Sequence, residues 1–349
     1  MNKKTTKTKK IFITGAAGFI GSNVLEYLFN KYPDYSFTVL DTLTYAGNMK
    51  NFPKEIQSSP RFTFVYGDIR NATVVDSIIA DTDIVIHFAA ETHVTRSIHD
   101  NVKFFETDVL GTQAVANAVQ HHRDRVERFL HISTCEVYGA ATKKKMDENH
   151  ILNPHSPYAA AKAGADRLVY SYYVTYGTPV TILRPFNIYG QRQHLEKVIP
   201  RFITSALLDE PLTVHGEGKA ARDFMHVSDV ATAIDTLIHA PLNKVVGEVF
   251  NAGSGKAISL NDIAESIVKY MKLDPSKIKH VAERPGQVST FACDYRKINK
   301  LFGWEPTKTF SKGLKETIEW YKENRNIWED QIWLRQVPIT VASGKVELH

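Results

Sequence analysis

The sequence predicts an α/β fold in which helices cover both faces of one doubly wound parallel sheet. Short runs rich in β-branched residues alternate with segments of helix length, and these runs are largely apolar, as is typical of strands buried on both faces. A glycine-rich turn follows the first run directly. The predicted strands span residues 11–15, 36–41, 62–68, 83–90, 128–134 and 180–186.

The rhythm changes after about residue 187. A glycine-rich turn at 215–219, a helical stretch from Ser228, a strand at 248–253 and two further helical stretches follow. Because no Pro/Ser-rich linker separates the two parts, we expect a smaller C-terminal lobe interleaved with the first domain. The predicted organisation is a disordered basic tail over 1–10, a larger domain over 11–187, a lobe mainly over 188–330 and a C-terminal tail over 331–349.

The composition is that of an ordinary globular protein. Of 349 residues, 43% are hydrophobic and 23% charged, which excludes disordered and fibrous classes. The net charge of +5 matches the five lysines of the first ten residues, and no nucleic-acid-binding pattern follows them, so we expect no nucleic-acid partner. No apolar run is long enough to span a bilayer. With only Cys135 and Cys293, and with scattered histidines, we predict a cytoplasmic protein without a metal site.

The turn GAAGFIG (15–21) has the features of a dinucleotide site. It closes the first strand and opens the first helix, where glycines allow a pyrophosphate to approach the backbone and the helix N-terminus offers free N–H groups. The expected cofactor residues of this turn are Gly15, Gly18, Phe19, Ile20 and Gly21. The arrangement indicates a Rossmann-like domain.

Two acidic residues end the next two strands. Asp41 is placed to accept hydrogen bonds from the adenosine ribose, and its carboxylate would repel a 2′-phosphate, which favours NAD over NADP. Asp68 is placed to meet the adenine edge, although an N-cap for the following helix explains it equally well.

Tyr158 and Lys162 form a Y-x-x-x-K pattern at the start of a helical run. Side chains at i and i+4 share one helix face, so the ammonium can lower the pKa of the phenol and hold the nicotinamide ribose. Tyr158 is therefore a candidate base for a hydroxyl proton during hydride transfer, and Lys162 is expected to contact the phenol and the nicotinamide ribose.

These motifs, in this order, resemble the extended short-chain dehydrogenase/reductase family. Further strings, among them DTLTYAGN (41–48), AAETHVTRSI (89–98), STCEVYG (133–139) and RDFMHVSDV (222–230), are similar to nucleotide-sugar 4,6-dehydratases of the dTDP-glucose type. The resemblance implies NAD as cofactor, further cofactor contacts at Ile69, Ala89 and Ala90, and a nucleoside-diphosphate sugar as substrate. The substrate-binding residues that it implies are His93, Asn187, Lys197, Arg222, Asn251 and Arg284.

The resemblance also implies roles at the end of the fifth strand. Tyr158 accepts the proton of the sugar 4-hydroxyl, Thr134 makes a second hydroxyl contact, and Glu136 removes the carbon-5 proton before water leaves from carbon 6. Cys135 departs from the family, which has an aspartate acid there. Because a thiol is a poorer general acid, Glu136 is also a candidate to return the proton.

Several alternatives stay open at this point. A 4-epimerase needs Tyr158, Lys162 and Thr134 but no carbon-5 base, and a UDP-glucuronate decarboxylase needs a cation for the substrate carboxylate. A dehydratase that forms a carbon 5–carbon 6 double bond is a further alternative, and an NAD-binding sensor is the alternative outside enzymes. The nucleotide base is open, and family members are commonly homodimers packed through helices that include the one carrying Tyr158.

Overall fold

The computed structural model describes residues 8–282, 290–340 and 346–348. Strands are labelled in chain order. They are β1 (Lys10–Thr14), β2 (Ser36–Asp41), β3 (Phe62–Tyr66), β4 (Ile84–His87), β5 (Arg128–Ile132), β6 (Val180–Pro185), β7 (Asn187–Tyr189), β8 (Leu212–His215), β9 (Ala221–His226), β10 (Val249–Ala252), β11 (Ala257–Ser259), β12 (Ile278–Val281), β13 (Thr290–Phe291), β14 (Pro338–Thr340) and β15 (Val346–Leu348).

The α-helices are labelled in the same way. They are α1 (Phe19–Lys31), α2 (Lys54–Gln57), α3 (Ala72–Ile79), α4 (Val94–His99), α5 (Asn101–Phe104), α6 (Thr112–His121), α7 (Pro157–Tyr176), α8 (Val198–Leu207), α9 (Val227–His239), α10 (Leu260–Met271), α11 (Arg296–Phe302), α12 (Phe310–Glu323) and α13 (Arg325–Trp328). A π-helical segment, Phe105–Gly111, joins α5 to α6. None of the helices in the described ranges is long and apolar enough to cross a bilayer.

The main sheet has seven parallel strands in the order β10-β6-β5-β4-β1-β2-β3. The chain runs outward in one direction from β1 to β3 and then returns to β4 on the other side of β1. The carboxyl ends of β1 and β4 therefore lie at the topological switch point, where open α/β sheets bind ligands.

Alternating side chains of the strands pack on opposite faces of the sheet. Ile11 and Ile13 of β1 belong to one buried cluster with residues of α1 and α9, whereas Phe12 belongs to a second cluster with residues of α3, α6 and α7. Because both faces are covered, the strands are apolar throughout, and this is why the sequence predicts them well.

The second part of the chain builds smaller sheets beside the main one. Strand β9 pairs with β7, β11 and β13, and β8 pairs with β12. A separate apolar cluster joins α8, α10 and α12. Strand β10 returns to the edge of the main sheet beside β6, so the two parts of the chain are interleaved.

All six predicted strands are present, with ends that differ by up to three residues. The strand predicted over 83–90 ends at His87, because the chain then leaves the sheet and runs along the cavity described below. At the other end of the chain, β1 begins at Lys10, and Lys9 and Lys10 form ion pairs with Glu127 and Asp81. These two lysines are thus fixed by the sheet and its neighbours, contrary to the predicted disordered tail over 1–10.

Candidate active site

A cavity of about 570 Å³ opens at the switch point of the main sheet. Its walls come from the loops that follow β1, β2, β3, β4 and β5, from the start of α7 and from the segment between β7 and α8. The predicted cofactor residues and three of the six predicted substrate residues line this one cavity.

The glycine turn forms one end of the cavity. Gly15 has φ +72°, and a Cβ there would lie 2.6 Å from the backbone nitrogen of Ala89. A Cβ at Gly21 would lie 2.6 Å from Cα of Ala16, so both positions need glycine for packing. Gly18 differs, because a Cβ there would meet only the Gly15 carbonyl oxygen, at 3.3 Å. Gly18 is the N-cap of α1 without a capping side chain, so the free space and the helix N-terminus suit an anionic pyrophosphate.

Asp41 ties the end of β2 to the glycine turn. Its carboxylate accepts hydrogen bonds from the backbone N–H groups of Ala17, at 2.9 Å, and Leu43, at 2.8 Å. Burial raises the pKa of Asp41, and the two N–H groups oppose that shift. The Asp41 side chain lines the cavity, where its negative charge would repel the 2′-phosphate of NADP.

Asp68, Ile69, Ala89 and Ala90 also line the cavity. The Asp68 carboxylate accepts hydrogen bonds from the backbone N–H of Arg70, at 2.8 Å, and from the Arg70 guanidinium, at 2.7 Å. Burial favours the neutral acid, but these hydrogen bonds hold the pKa of Asp68 below its ordinary value. The N-cap of α3 is Asn71, so the capping explanation for Asp68 does not hold.

Helix α7 brings Tyr158 and Lys162 to the cavity. Ser156 caps the helix by accepting the N–H of Ala159 at 3.1 Å. The buried ammonium of Lys162 donates to the carbonyl oxygen of Ile132 at 2.9 Å, and Tyr158 shares a hydrogen bond with Thr134. The end of β5 and the first turn of α7 are therefore held against each other.

The expected lowering of the Tyr158 pKa is not seen in this arrangement. Burial raises the pKa of the phenol well above its ordinary value, and the charges of Asp108 and Glu136 raise it further. The hydrogen bond with Thr134 acts in the opposite direction but is weaker. Lys162 has its own pKa lowered by burial, because its ammonium is fully removed from water. Burial therefore dominates the pKa of this phenol in the protein alone, and the lowering by Lys162 stays a prediction.

Glu136 and Cys135 follow Thr134 in a short 3-10 helix, Cys135–Tyr138, and both line the cavity. Burial raises the pKa of Glu136, while the cations of Arg222 and Lys197 lower it. Burial raises the pKa of the Cys135 thiol, and the charges of Glu136 and Asp223 add to this. Cys135 is therefore a neutral thiol and a weak acid in this site.

Three of the six predicted substrate residues line the same cavity as the glycine turn. His93, Asn187 and Lys197 line it, and the Lys197 ammonium donates to the Thr92 carbonyl oxygen at 3.1 Å. Arg222 is not among the lining residues, although its charge acts on Glu136.

The structure does not bring Asn251 to the cavity. It is fully buried, its amide oxygen accepts the Tyr138 hydroxyl at 2.7 Å, and its amide nitrogen donates to the Met146 carbonyl at 3.1 Å. Its backbone N–H donates to Glu148 at 2.8 Å. Asn251 is thus committed to packing β10 against the 138–148 segment. Arg284 lies outside the described residues.

The sequence reasoning missed two acidic groups beside this site. Asp108, in the π-helical segment, is fully buried and accepts the backbone N–H of Glu91 at 2.7 Å, and its charge acts on Lys162 and Tyr158. Glu196 is buried at the cavity wall, and its carboxylate forms an ion pair with Nε of Arg96 at 2.8 Å. Glu196 adjoins the predicted Lys197, which is the one signal that could have found it, whereas Asp108 has an ordinary helical context.

One cluster of potential metal ligands lies away from the cavity. Asp76 accepts hydrogen bonds from His121, at 2.9 Å, and His122, at 3.1 Å. The sequence does not predict this group, because Asp76 reaches the adjacent His121 and His122 only through the packing of α3 against α6. Within the described ranges this is the one such group of three.

Comparison with known proteins identifies the family. A family model described as GDP-mannose 4,6 dehydratase matches residues 12–317. A dTDP-glucose 4,6-dehydratase of Streptomyces niveus is 40% identical over 324 residues, which cover 92% of this chain and 95% of that protein. A trifunctional UDP-glucose 4,6-dehydratase, epimerase and reductase of Arabidopsis thaliana is 40% identical over 328 residues. This match covers 92% of the chain but only 48% of the plant protein, so the chain spans about half the length of that relative.

Solved structures agree with these matches. The crystal structure of dTDP-glucose 4,6-dehydratase from Bacillus anthracis in complex with NAD superposes with a TM-score of 0.85 at 36% identity, covering 92% of this chain and 99% of that one. The fold, the cavity at the switch point and the extent of these matches lead to one conclusion. The chain belongs to the NAD-dependent epimerase/dehydratase family of short-chain dehydrogenases, in its nucleotide-sugar 4,6-dehydratase group.

Proposed function

We propose that the protein is an NAD-dependent nucleotide-sugar 4,6-dehydratase, a lyase that removes water from the hexose of a nucleoside-diphosphate sugar. The observation that carries the proposal is the meeting of Thr134, Tyr158, Lys162 and Glu136 at one cavity that also contains the glycine turn. When bound, NAD⁺ accepts a hydride from the sugar and NADH returns it.

The glycine turn and Asp41 fit NAD. Gly18 leaves room for the pyrophosphate, and the Asp41 carboxylate is suited to accept ribose hydroxyls while disfavouring the 2′-phosphate of NADP. Lys162 is the cation closest in sequence to Tyr158, one helical turn later, and its buried ammonium holds the second turn of α7 against Ile132.

Tyr158 is the base for the sugar 4-hydroxyl in this proposal, and Thr134 is the second hydroxyl contact. Because the phenol is difficult to ionise in the protein alone, a phenolate requires additional positive charge nearby. Lys162 supplies part of that charge from the adjacent turn of the same helix face.

Glu136 is the group that removes the carbon-5 proton, which a ketone at carbon 4 makes acidic. Burial makes Glu136 more basic than an ordinary carboxylate, while Arg222 and Lys197 favour its ionised form. Since Cys135 is a neutral thiol of raised pKa, Glu136 also returns the proton to the departing carbon-6 oxygen. A 4-epimerase would have no use for this carboxylate, and Glu136 therefore separates the two activities.

Lys197, Arg222 and Arg284 are proposed to contact the diphosphate or the sugar, with His93 and Asn187 near the sugar. The nucleotide base is left open, because the named relatives act on dTDP- and UDP-sugars. Incubating the protein with dTDP-, UDP-, GDP- and CDP-hexoses and recording product mass spectra tests the proposal. A product lighter by one water molecule supports it, and an isomer of unchanged mass contradicts it.

We also propose a homodimer. A row of exposed apolar side chains follows α4, α5 and the π-helical segment at Ile98, Val102, Phe105 and Leu110, with 57%, 62%, 44% and 55% exposure. Contiguous exposed apolar surface of this kind marks protein–protein contacts. Light scattering should give twice the chain mass, and Val102→Glu should reduce it to the monomer mass. The cytoplasmic location and the absence of a nucleic-acid partner stay predictions.

A further inference from the structure

One wall of the cavity carries buried polar atoms that have no hydrogen-bond partner. They include Oδ1 of Asn187, Oε1 of Gln193 and both ring nitrogens of His194, and each of these residues lines the cavity. Leaving a buried polar atom unpaired costs about 1–3 kcal/mol, so such atoms in native proteins normally bind a ligand or an ordered water. We call Asn187, Gln193 and His194 the polar wall.

The polar wall is held in place before any ligand binds. The side-chain amide nitrogen of Gln193 donates to the Ile188 carbonyl at 2.8 Å, which fixes the amide so that its oxygen is the open atom. The Gln193 carbonyl accepts the hydroxyl of Tyr321, a fully buried residue of α12. Arg192, with φ +67°, forms an ion pair with Glu26 at 2.6 Å. A ligand therefore meets fixed atoms and orders little of the protein on binding.

The surroundings of His194 determine which role its open nitrogen takes. Its Nδ1 lies 3.5 Å from Oε1 of Glu196. The other carboxylate oxygen of Glu196 accepts a hydrogen bond from Nε of Arg96 at 2.8 Å. The nearby His194 and the charge of Lys197 hold the pKa of Glu196 well below its ordinary value despite burial, so Glu196 is ionised. A neutral imidazole whose Nδ1–H faces that carboxylate leaves Nε2 as a hydrogen-bond acceptor. The ring also packs edge-on against Tyr45, with centroids 5.2 Å apart.

Oδ1 of Asn187 and Oε1 of Gln193 are acceptors, and Nε2 of His194 is a third acceptor in the neutral ring that carries its proton on Nδ1. The group that satisfies them must donate hydrogen bonds, as a hydroxyl does. A carboxylate or a deoxygenated carbon at the same place would leave them unpaired. Lys197, next in the chain after Glu196, acts electrostatically on both Glu196 and Glu136, and the three residues line the same cavity as the polar wall.

We propose that His194, supported by Gln193 and Asn187, accepts a hydrogen bond from a hydroxyl of the substrate hexose and so determines which sugars the enzyme takes. This inference rests on the proposed function, which supplies the hexose. It adds a residue that selects among nucleoside-diphosphate hexoses by the hydroxyls that they carry.

Binding measurements test the proposal separately from turnover. The NAD⁺-loaded Tyr158→Phe protein, which should bind the sugar without converting it, is titrated calorimetrically with dTDP-glucose and UDP-glucose. Whichever of the two nucleotide sugars binds is then compared with its analogues that lack the 2-, 3- or 6-hydroxyl of the hexose. One analogue should bind about tenfold more weakly than the parent, the loss expected for a single hydrogen bond. His194→Phe in the same background should weaken the parent about tenfold and make that analogue and the parent bind equally.

Two further variants separate hydrogen bonding from packing. Phenylalanine keeps a ring against Tyr45, and His194→Gln restores an acceptor, so His194→Gln should recover part of the discrimination that His194→Phe loses. Tyr45→Phe is the matched control, because Tyr45 packs on His194 but does not line the cavity, and it should bind all sugars within twofold of the parent protein.

The proposal is overturned if His194→Phe weakens the parent and every deoxy analogue by the same factor, or changes none of them. Failure of the proposed function has a different signature. In that case neither glucose nucleotide binds the NAD⁺-loaded protein, whichever residue occupies position 194.

Discussion

The ammonium of Lys162 donates a 2.9 Å hydrogen bond to the carbonyl oxygen of Ile132. This contact joins the second turn of α7 to the last residue of β5. As a result, Tyr158, one turn earlier on the helix, meets Thr134, two residues after the strand. Two segments 24 residues apart in the chain thus supply one set of reacting groups, and the predictions below test that set and the cofactor site beside it.

Asp41 should determine the preference for NAD over NADP. Asp41→Asn removes the negative charge and keeps one of the two oxygens that accept the N–H groups of Ala17 and Leu43, so we expect NADP⁺ to bind better and NAD⁺ somewhat more weakly. Calorimetric titration with both cofactors measures the change. Wild-type protein that binds the two cofactors equally well would disprove this role for Asp41.

The two glycines Gly15 and Gly18 should respond differently to alanine. Gly15→Ala forces a Cβ against Ala89 at positive φ and should lower the free energy of unfolding by about 1–3 kcal/mol. Gly18→Ala meets little protein, so it should leave the melting temperature nearly unchanged while weakening NAD⁺ binding at least tenfold. Thermal unfolding and cofactor titration are measured on both variants, and each variant is the control for the other. Unaltered cofactor affinity in Gly18→Ala would argue against the pyrophosphate site.

Tyr158→Phe should abolish most turnover while preserving the fold and NAD⁺ binding. It deletes one oxygen from a ring that packs edge-on against Phe104, with centroids 6.1 Å apart. A positioned acid–base group contributes roughly 10²–10⁴-fold in rate, and a loss of that size in kcat is expected. Single-turnover measurement at saturating substrate makes the comparison, and a loss below tenfold would exclude Tyr158 as the base.

Cys135→Asp should accelerate the loss of water. A carboxyl at this buried position, beside Glu136 and Asp223, would have a raised pKa and would carry a proton that it can donate. Cys135→Ser, which has no comparable acidity, is the matched control and should not accelerate this step. Rapid-quench analysis of the elimination step distinguishes the variants. An unchanged rate in Cys135→Asp would mean that proton return by Glu136 does not limit the loss of water.

The parts of the fold that local patterns determine could be predicted from the sequence. Apolar runs identified the strands of the main sheet, and the glycine turn and Asp41 line the cavity at its switch point. Tyr158 and Lys162 could be linked by helical spacing, and Tyr158 forms a hydrogen bond with Thr134.

The remaining features depend on contacts between distant segments. Asn251 resembles a ligand residue in sequence, yet Tyr138 and Met146 use its side chain within the core. The sequence analysis found no functional role for residues 325–349. In the structure Trp328 donates to the Tyr321 carbonyl at 2.8 Å, and Tyr321 in turn holds Gln193. The effect of burial on the phenol of Tyr158 likewise follows from packing that no local pattern reveals.

The proposed role of Glu136 as the carbon-5 base distinguishes a dehydratase from an epimerase, which needs no such base. Glu136→Gln retains the size of the side chain and removes its basicity, so the variant should accumulate NADH absorbance on mixing with substrate but release no dehydrated product. In the wild type, kcat/KM should fall as the pH drops through the pKa of Glu136. That fall should come at a higher pH than for an ordinary glutamate, since burial raises this pKa.

The most direct measurement is mass and NMR analysis of the product formed by wild-type protein in deuterated water. A carbon-5 base that removes and replaces a proton predicts a product lighter by one water molecule and carrying deuterium at carbon 5, and Glu136→Gln should give none of it. A product of unchanged mass with hydrogen retained at carbon 5, formed equally well by Glu136→Gln, would contradict the assignment of this protein as a 4,6-dehydratase.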